Sequence, residues 1–81
     1  MDEKAILDRI SEFIEEEHAL RQAHERAETK DAEAQDRLRR LEVALDQCWD
    51  LLRQRRARRT AGQNPDEAEV RPAGEVEGYL Q

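Results

Sequence analysis

The stretch LRRLEVALDQCWDLLRQRRARR, residues 38–59, decides the fold. Leu38, Leu41, Leu45, Cys48 and Leu52 recur at spacings of three, four or seven, and Trp49 widens the row. That is the apolar face of an amphipathic α-helix. The same period runs earlier in the chain through Ile6, Ile10, Phe13 and Leu20, broadened by Leu7 and Ile14. From Met1 to Ala61 there is neither Gly nor Pro, and Ala, Leu, Glu and Arg abound, the residues that lose least entropy in a helix. All the chain breakers follow: Gly62, Pro65, Pro72, Gly74 and Gly78. Between the two stripes, Ala23–Arg37 offers only Ala27 and Ala34 at apolar positions, with Asp31 where a Leu would be expected.

Two architectures fit this pattern. One is a single helix of about 60 residues, roughly 90 Å long at 1.5 Å per residue. The other is an antiparallel hairpin with a turn in residues 26–31, where Thr29 or Asp31 can cap the second helix and Asp31 and Glu33 favour its positive end. Charge separates them. Residues 1–36 carry 12 acids and 5 bases, residues 37–61 carry 3 acids and 8 bases, and residues 62–81 carry 5 acids and Arg71. Folding back sets the basic run Arg53, Arg55, Arg56, Arg58 and Arg59 beside Asp2, Glu3 and Asp8, whereas long parallel helices would stack like against like. The reading is all-α: a hairpin of helices at about 2–26 and 31–61, then an acidic tail at 62–81 with a short helical turn near 65–69. Asn64, Pro65, Asp66 and Glu67 suggest that turn, as N-cap, Pro at N1 and first-turn acids, and Pro72 ends it.

With 81 residues, 37% apolar and 42% charged, one small domain is the upper bound. A chain of this size buries only about 60% of its unfolded surface, so a lone hairpin is marginal and self-association is the usual remedy. A homodimer closing into a four-helix bundle is the economical form, with Ile6, Ile10, Phe13, Leu20, Leu38, Leu41, Leu45, Cys48, Trp49 and Leu52 as its core. No apolar run reaches membrane-spanning length, and the acidic start Met1, Asp2, Glu3 is unlike a signal peptide. A lone Cys48 forms no internal disulfide and suits a reducing, cytoplasmic setting.

Beyond periodicity, the words themselves match a known pattern. Leu41-Glu42-Val43 and the run LDQCWDLLRQRRA, residues 45–57, resemble the core of a family of small, mostly actinobacterial proteins, the domain of unknown function numbered 2630. Asn64-Pro65-Asp66-Glu67-Ala68 and Val76-Glu77-Gly78-Tyr79 extend the likeness, and Ile6–His18 does so more loosely. The central segment departs from the family's pattern, which has a clearer turn there. The family carries no assigned activity, so the resemblance implies a lineage and a cytoplasmic setting and no mechanism.

The chemistry-bearing residues are few. Arg53, Arg55, Arg56, Arg58 and Arg59 offer a basic surface that would contact phosphates by counterion release, which makes a nucleic-acid-associated protein the alternative function. Against it stand the net charge of −6 and the lack of aromatic residues within the run; pairing with helix 1 accounts for these Arg more simply. Glu15 and His18 have the Glu-x-x-His spacing of carboxylate-bridged metal sites, but at about 100° per residue Glu15 points away from the apolar face and His18 lies on its margin. Glu17 and His24 do fall on the stripe, where a polar residue either fixes register or sits half-solvated near an opening seam. Cys48 reads as a small hydrophobe, and Trp49 as a packing residue with partner anchoring as the rival. No phosphate loop, nucleophile triad or zinc-type spacing occurs.

The expectation is a non-enzymatic helical interaction or structural module. It takes no cofactor and has no membrane contact; its partner is a second copy or an unidentified protein. Its tail docks on a bundle through Val76, Tyr79 and Leu80, with Tyr79 as anchor.

Overall fold

The computed structural model describes residues 1–25 and 32–77, excluding the side chains of His24 and Glu77. The expected turn at 26–31, with Thr29 and Asp31 as caps, lies outside the described residues, as do Tyr79 and Leu80 of the tail anchor.

Two long helices carry the fold: α1, Glu3–Glu25, and α2, Ala32–Thr60. They run antiparallel, so the chain is a hairpin and not one continuous helix. Arg56 Nε donates to Glu3 Oε1 at 2.9 Å at one end, and Arg21 Nη2 donates to Glu42 Oε1 at 2.6 Å toward the other. Arg37 also pairs with Glu16. Asp2 starts α1 as an N-cap, its Oδ1 accepting from the Ala5 amide at 2.8 Å, which satisfies one of the orphan donors of the first turn. Gly62 ends α2. Its φ of 75° lets the Gln63 amide reach the Arg58 carbonyl at 2.7 Å and its own amide reach Arg59 at 3.1 Å, a Schellman closure.

The core lies at the end of the hairpin that holds the chain's first residues. Ile6 and Ile10 of α1 meet Leu45, Leu51 and Leu52 of α2, with Phe13, Cys48 and Ala68 packed around them. Toward the turn the helices enclose only an open groove of about 410 Å³, lined by Leu20, Ala34 and Leu38. Ala34 is the one small side chain of that lining and is too short to close the space between the helices.

After Gly62 the chain returns along α2 as a strap. A 3₁₀ turn, Pro65–Glu67, is capped by Asn64, whose Oδ1 accepts from the Asp66 amide at 3.0 Å. A further short helix, α3, Ala73–Glu77, follows Pro72 and packs on α2. Reading Pro72 only as a stop missed α3, for which it is the residue before the first turn: its carbonyl accepts from the Glu75 amide at 3.0 Å. Val76 is among the most buried side chains of the chain, at 1% exposure. Among the described residues, no helix is long and apolar enough to cross a membrane.

Ion pairing ties α1 to α2 and gives the fold an acid-sensitive edge. The Arg56 guanidinium, hydrogen-bonded to Glu3 and aided by Arg59, holds the Glu3 carboxyl below its ordinary value against a smaller opposing effect of burial. A carboxylate lowered in the folded state adds stability above its unfolded pKa, about 4.3, and loses it as pH falls through the folded value. Glu3→Gln is therefore expected to be less stable than wild type at neutral pH, and the two are expected to converge in strong acid. Urea midpoints followed by circular dichroism across pH 3–7 check this.

Candidate functional site

The Arg run is divided between two partners. Arg56 and Arg59 reach Glu3, at 2.9 and 3.6 Å. Arg55 Nη1 instead donates to Asp66 Oδ1 at 2.9 Å and to the Pro65 carbonyl at 3.2 Å, and Arg58 pairs with Glu67 at 3.5 Å. The expected partners Asp2 and Asp8 are otherwise engaged, Asp2 as cap and Asp8 with Lys4. The physical reason is the strap, which brings its own acids to the side of α2 that α1 does not cover. Arg53 is exposed.

The strap is held by polar clasps that sequence periodicity did not reveal. Asp50 is only 2% exposed, although it lies off the apolar stripe. Its Oδ2 receives Arg71 Nε at 3.2 Å and Gln54 Nε2 at 2.9 Å. Gln54 also donates to the Glu69 carbonyl at 2.7 Å, and Gln47 to the Arg71 carbonyl at 3.1 Å. A buried carboxylate is tolerable only when paired and hydrogen-bonded, which this one is. Leu51, 6% exposed, also escaped the stripe reading and belongs to the core.

Of the residues read as a self-association core, Ile6, Ile10, Leu41, Leu45 and Leu52 are buried within one chain. Phe13, Leu20, Leu38 and Cys48 are half-buried. Burial pushes the Cys48 thiol up, with Arg9 opposing, so it packs as an apolar group. Trp49 is 40% exposed and lies outside the buried cluster of the single chain. Leu7 is 39% and Ile14 48% exposed. Glu17 is half-buried with Arg21 Nε 3.8 Å away, while the side chain of His24 lies outside the described residues. Glu15 and His18 are both exposed, and His18 bonds Gln22, not a carboxylate. Among the described residues, no three His, Cys, Asp or Glu side chains converge on a metal-sized gap.

Three of the exposed apolar side chains, Leu7, Ile14 and Trp49, share one face, while Met1 and Val70, also exposed, line a separate hollow with Phe13 and Cys48. Leu7, Ile14 and Arg21 are seven apart and so stand in one row on α1; Glu42, Trp49 and Arg56 do the same on α2. Arg21 pairs with Glu42, which places both rows on the same side of the hairpin. Glu16 and Arg37 mark the opposite side. The result is an apolar patch of Leu7, Ile14 and Trp49 between the Glu3–Arg56 and Arg21–Glu42 pairs. A shallow depression lined by Glu17, Arg39, Glu42, Leu45, Asp46 and Trp49 adjoins it.

These features define a small all-helical protein, a clasped hairpin whose most developed surface is this apolar face. The chain belongs to the family described as "Protein of unknown function (DUF2630)", whose model matches residues 2–81. It is similar to uncharacterized proteins of Mycobacterium bovis and Mycobacterium tuberculosis, each 54% identical over 70 residues that cover 86% of this chain and 80% of the relative. No solved structure matches it.

Proposed function

We propose that this protein is a non-enzymatic helical module of the cytoplasm that works by self-association, two hairpins meeting through the Leu7–Ile14–Trp49 face. The observation that carries the reading is the placement of Trp49: the largest apolar side chain of the stretch that decides the fold stands on the surface, level with Leu7 and Ile14. Leu7, Ile14 and Trp49 are grouped on one side, whereas exposed apolar residues that need no explanation are scattered singly. Trp is also the residue most enriched among energetic anchors of interfaces. The engagement of Arg55, Arg56, Arg58 and Arg59 by Glu3, Asp66 and Glu67 supports a structural use of the basic run over phosphate contact.

Light scattering at micromolar concentration is expected to give twice the chain mass. Trp49→Asp and Ile14→Asp are expected to weaken the dimer at least tenfold while leaving helical circular dichroism intact, because both side chains sit outside the hairpin core. A wild-type monomer over the whole concentration range would refute the reading.

A further inference from the structure

Resting on the self-association just proposed, we infer that the occupant of this face is a second copy stacked with each helix antiparallel over its own counterpart, so that Trp49 meets the same residue of the partner at the two-fold axis. The charges along the exposed row of α2 carry this. Asp46 lies one turn before Trp49 and Arg53 one turn after it; Glu42 lies two turns before and Arg56 two turns after. Within two turns of Trp49 the row is acidic on one side and basic on the other, at nearly matching distances. Its outer members Glu42 and Arg56 also pair with Arg21 and Glu3 of their own chain, and Arg39, a turn beyond Glu42, is bonded to Asp36. Reversing the row onto itself places each acid opposite a base, whereas a parallel overlay places acid on acid. An antisymmetric row of this kind fits an isologous interface, in which a patch must complement itself.

The α1 half of the face agrees. Glu3 pairs with Arg56 and Arg21 with Glu42, so the part of α1 between Glu3 and Arg21 runs alongside the part of α2 centred on Trp49. Leu7 and Ile14 lie within that part of α1, two turns apart. The rotation that brings Trp49 onto itself lays this part of α1 in reverse over its counterpart, so the Leu7–Ile14 pair of one copy faces the same pair of the other. A two-fold axis along the hairpin would instead set α2 over the partner's α1, where the row of α2 does not meet itself.

Cysteine pairing reads the register directly. In full-length chains carrying Cys48→Ala, one preparation receives Asp46→Cys and another Arg53→Cys, and the two are mixed and oxidised with copper phenanthroline. A disulfide requires Cα atoms within about 4.4–6.8 Å. Bridges between the two preparations are expected to exceed bridges within either one by at least fivefold. Predominant bridges within each preparation, or no bridges while light scattering still reports a dimer, would overturn the register and leave the self-association standing. Monomeric mass in the unoxidised Cys48→Ala chain as well as in wild type would overturn both.

Discussion

Leu52→Ala is expected to remove roughly half of the folding stability of this protein. Leu52 is 2% exposed and sits where Ile6 and Ile10 of α1 meet Leu45 and Leu51 of α2, so truncation loses its transfer energy and leaves a cavity between two stiff helices. Such substitutions cost about 2–5 kcal/mol. A chain of this length has about 4–12 kcal/mol in total at 0.05–0.15 kcal/mol per residue. The loss is severe because the core is small and one-ended: the turn-proximal half, with Ala34 and the half-buried Leu20 and Leu38, has little to add. Urea unfolding monitored by circular dichroism at fixed protein concentration checks it, since dimerisation makes the midpoint depend on concentration. An unchanged midpoint would mean that the packing of α1 on α2 is not what holds the hairpin.

Arg71→Ala is expected to release the strap and leave the hairpin folded. Removing the guanidinium strands the Asp50 carboxylate under the strap with Gln54 as its remaining described hydrogen-bond donor. A buried charge deprived of its partner costs about 3–5 kcal/mol when nothing can move. Here something can: lifting residues 65–77 from α2 returns Asp50 to water, so the cost is capped by the strength of strap docking. Asp50→Asn keeps a hydrogen-bonding side chain without the charge and is expected to loosen the strap far less. Amide hydrogen exchange distinguishes these outcomes. Protection is expected to vanish at 73–77 in Arg71→Ala while persisting at 6–20 and 40–58; full protection at 73–77 would show that the Asp50–Arg71 pair is not the latch.

The hairpin was legible in the sequence because two facts agreed. Apolar residues recur with the helical period in two blocks, and the charge blocks are complementary only when the chain folds back; Arg56 on Glu3 is that complementarity realised. The strap was legible only in part. Asn64 and Pro65 announce the 3₁₀ turn through local backbone chemistry, and Val76 stands out as apolar in an acidic end. Asp50 did not stand out, because periodicity assigns every polar residue off the stripe to water, and nothing local says that residues 62–77 return to cover it. Gln47, Gln54 and Arg55 were opaque for the same reason: their partners are mostly carbonyls of the strap, which have no sequence signature. Trp49 stayed open between packing and partner anchoring for a different one. It lies at the margin of the stripe, where a small rotation of α2 decides between core and surface, and the packing of Leu45 and Leu52 against α1 sets that rotation.

Trp49 is the only tryptophan of the chain, so its fluorescence reports the proposed interface with no labelling. Emission recorded from high micromolar to nanomolar concentration, in parallel with mass by light scattering where signal allows, tests self-association through this face most directly. The account predicts blue-shifted emission and dimeric mass at high concentration, with a red shift on dilution that follows the loss of the dimer and is absent in Ile14→Asp, which stays red-shifted throughout. Emission independent of concentration, together with monomeric mass at the highest concentration, would contradict it.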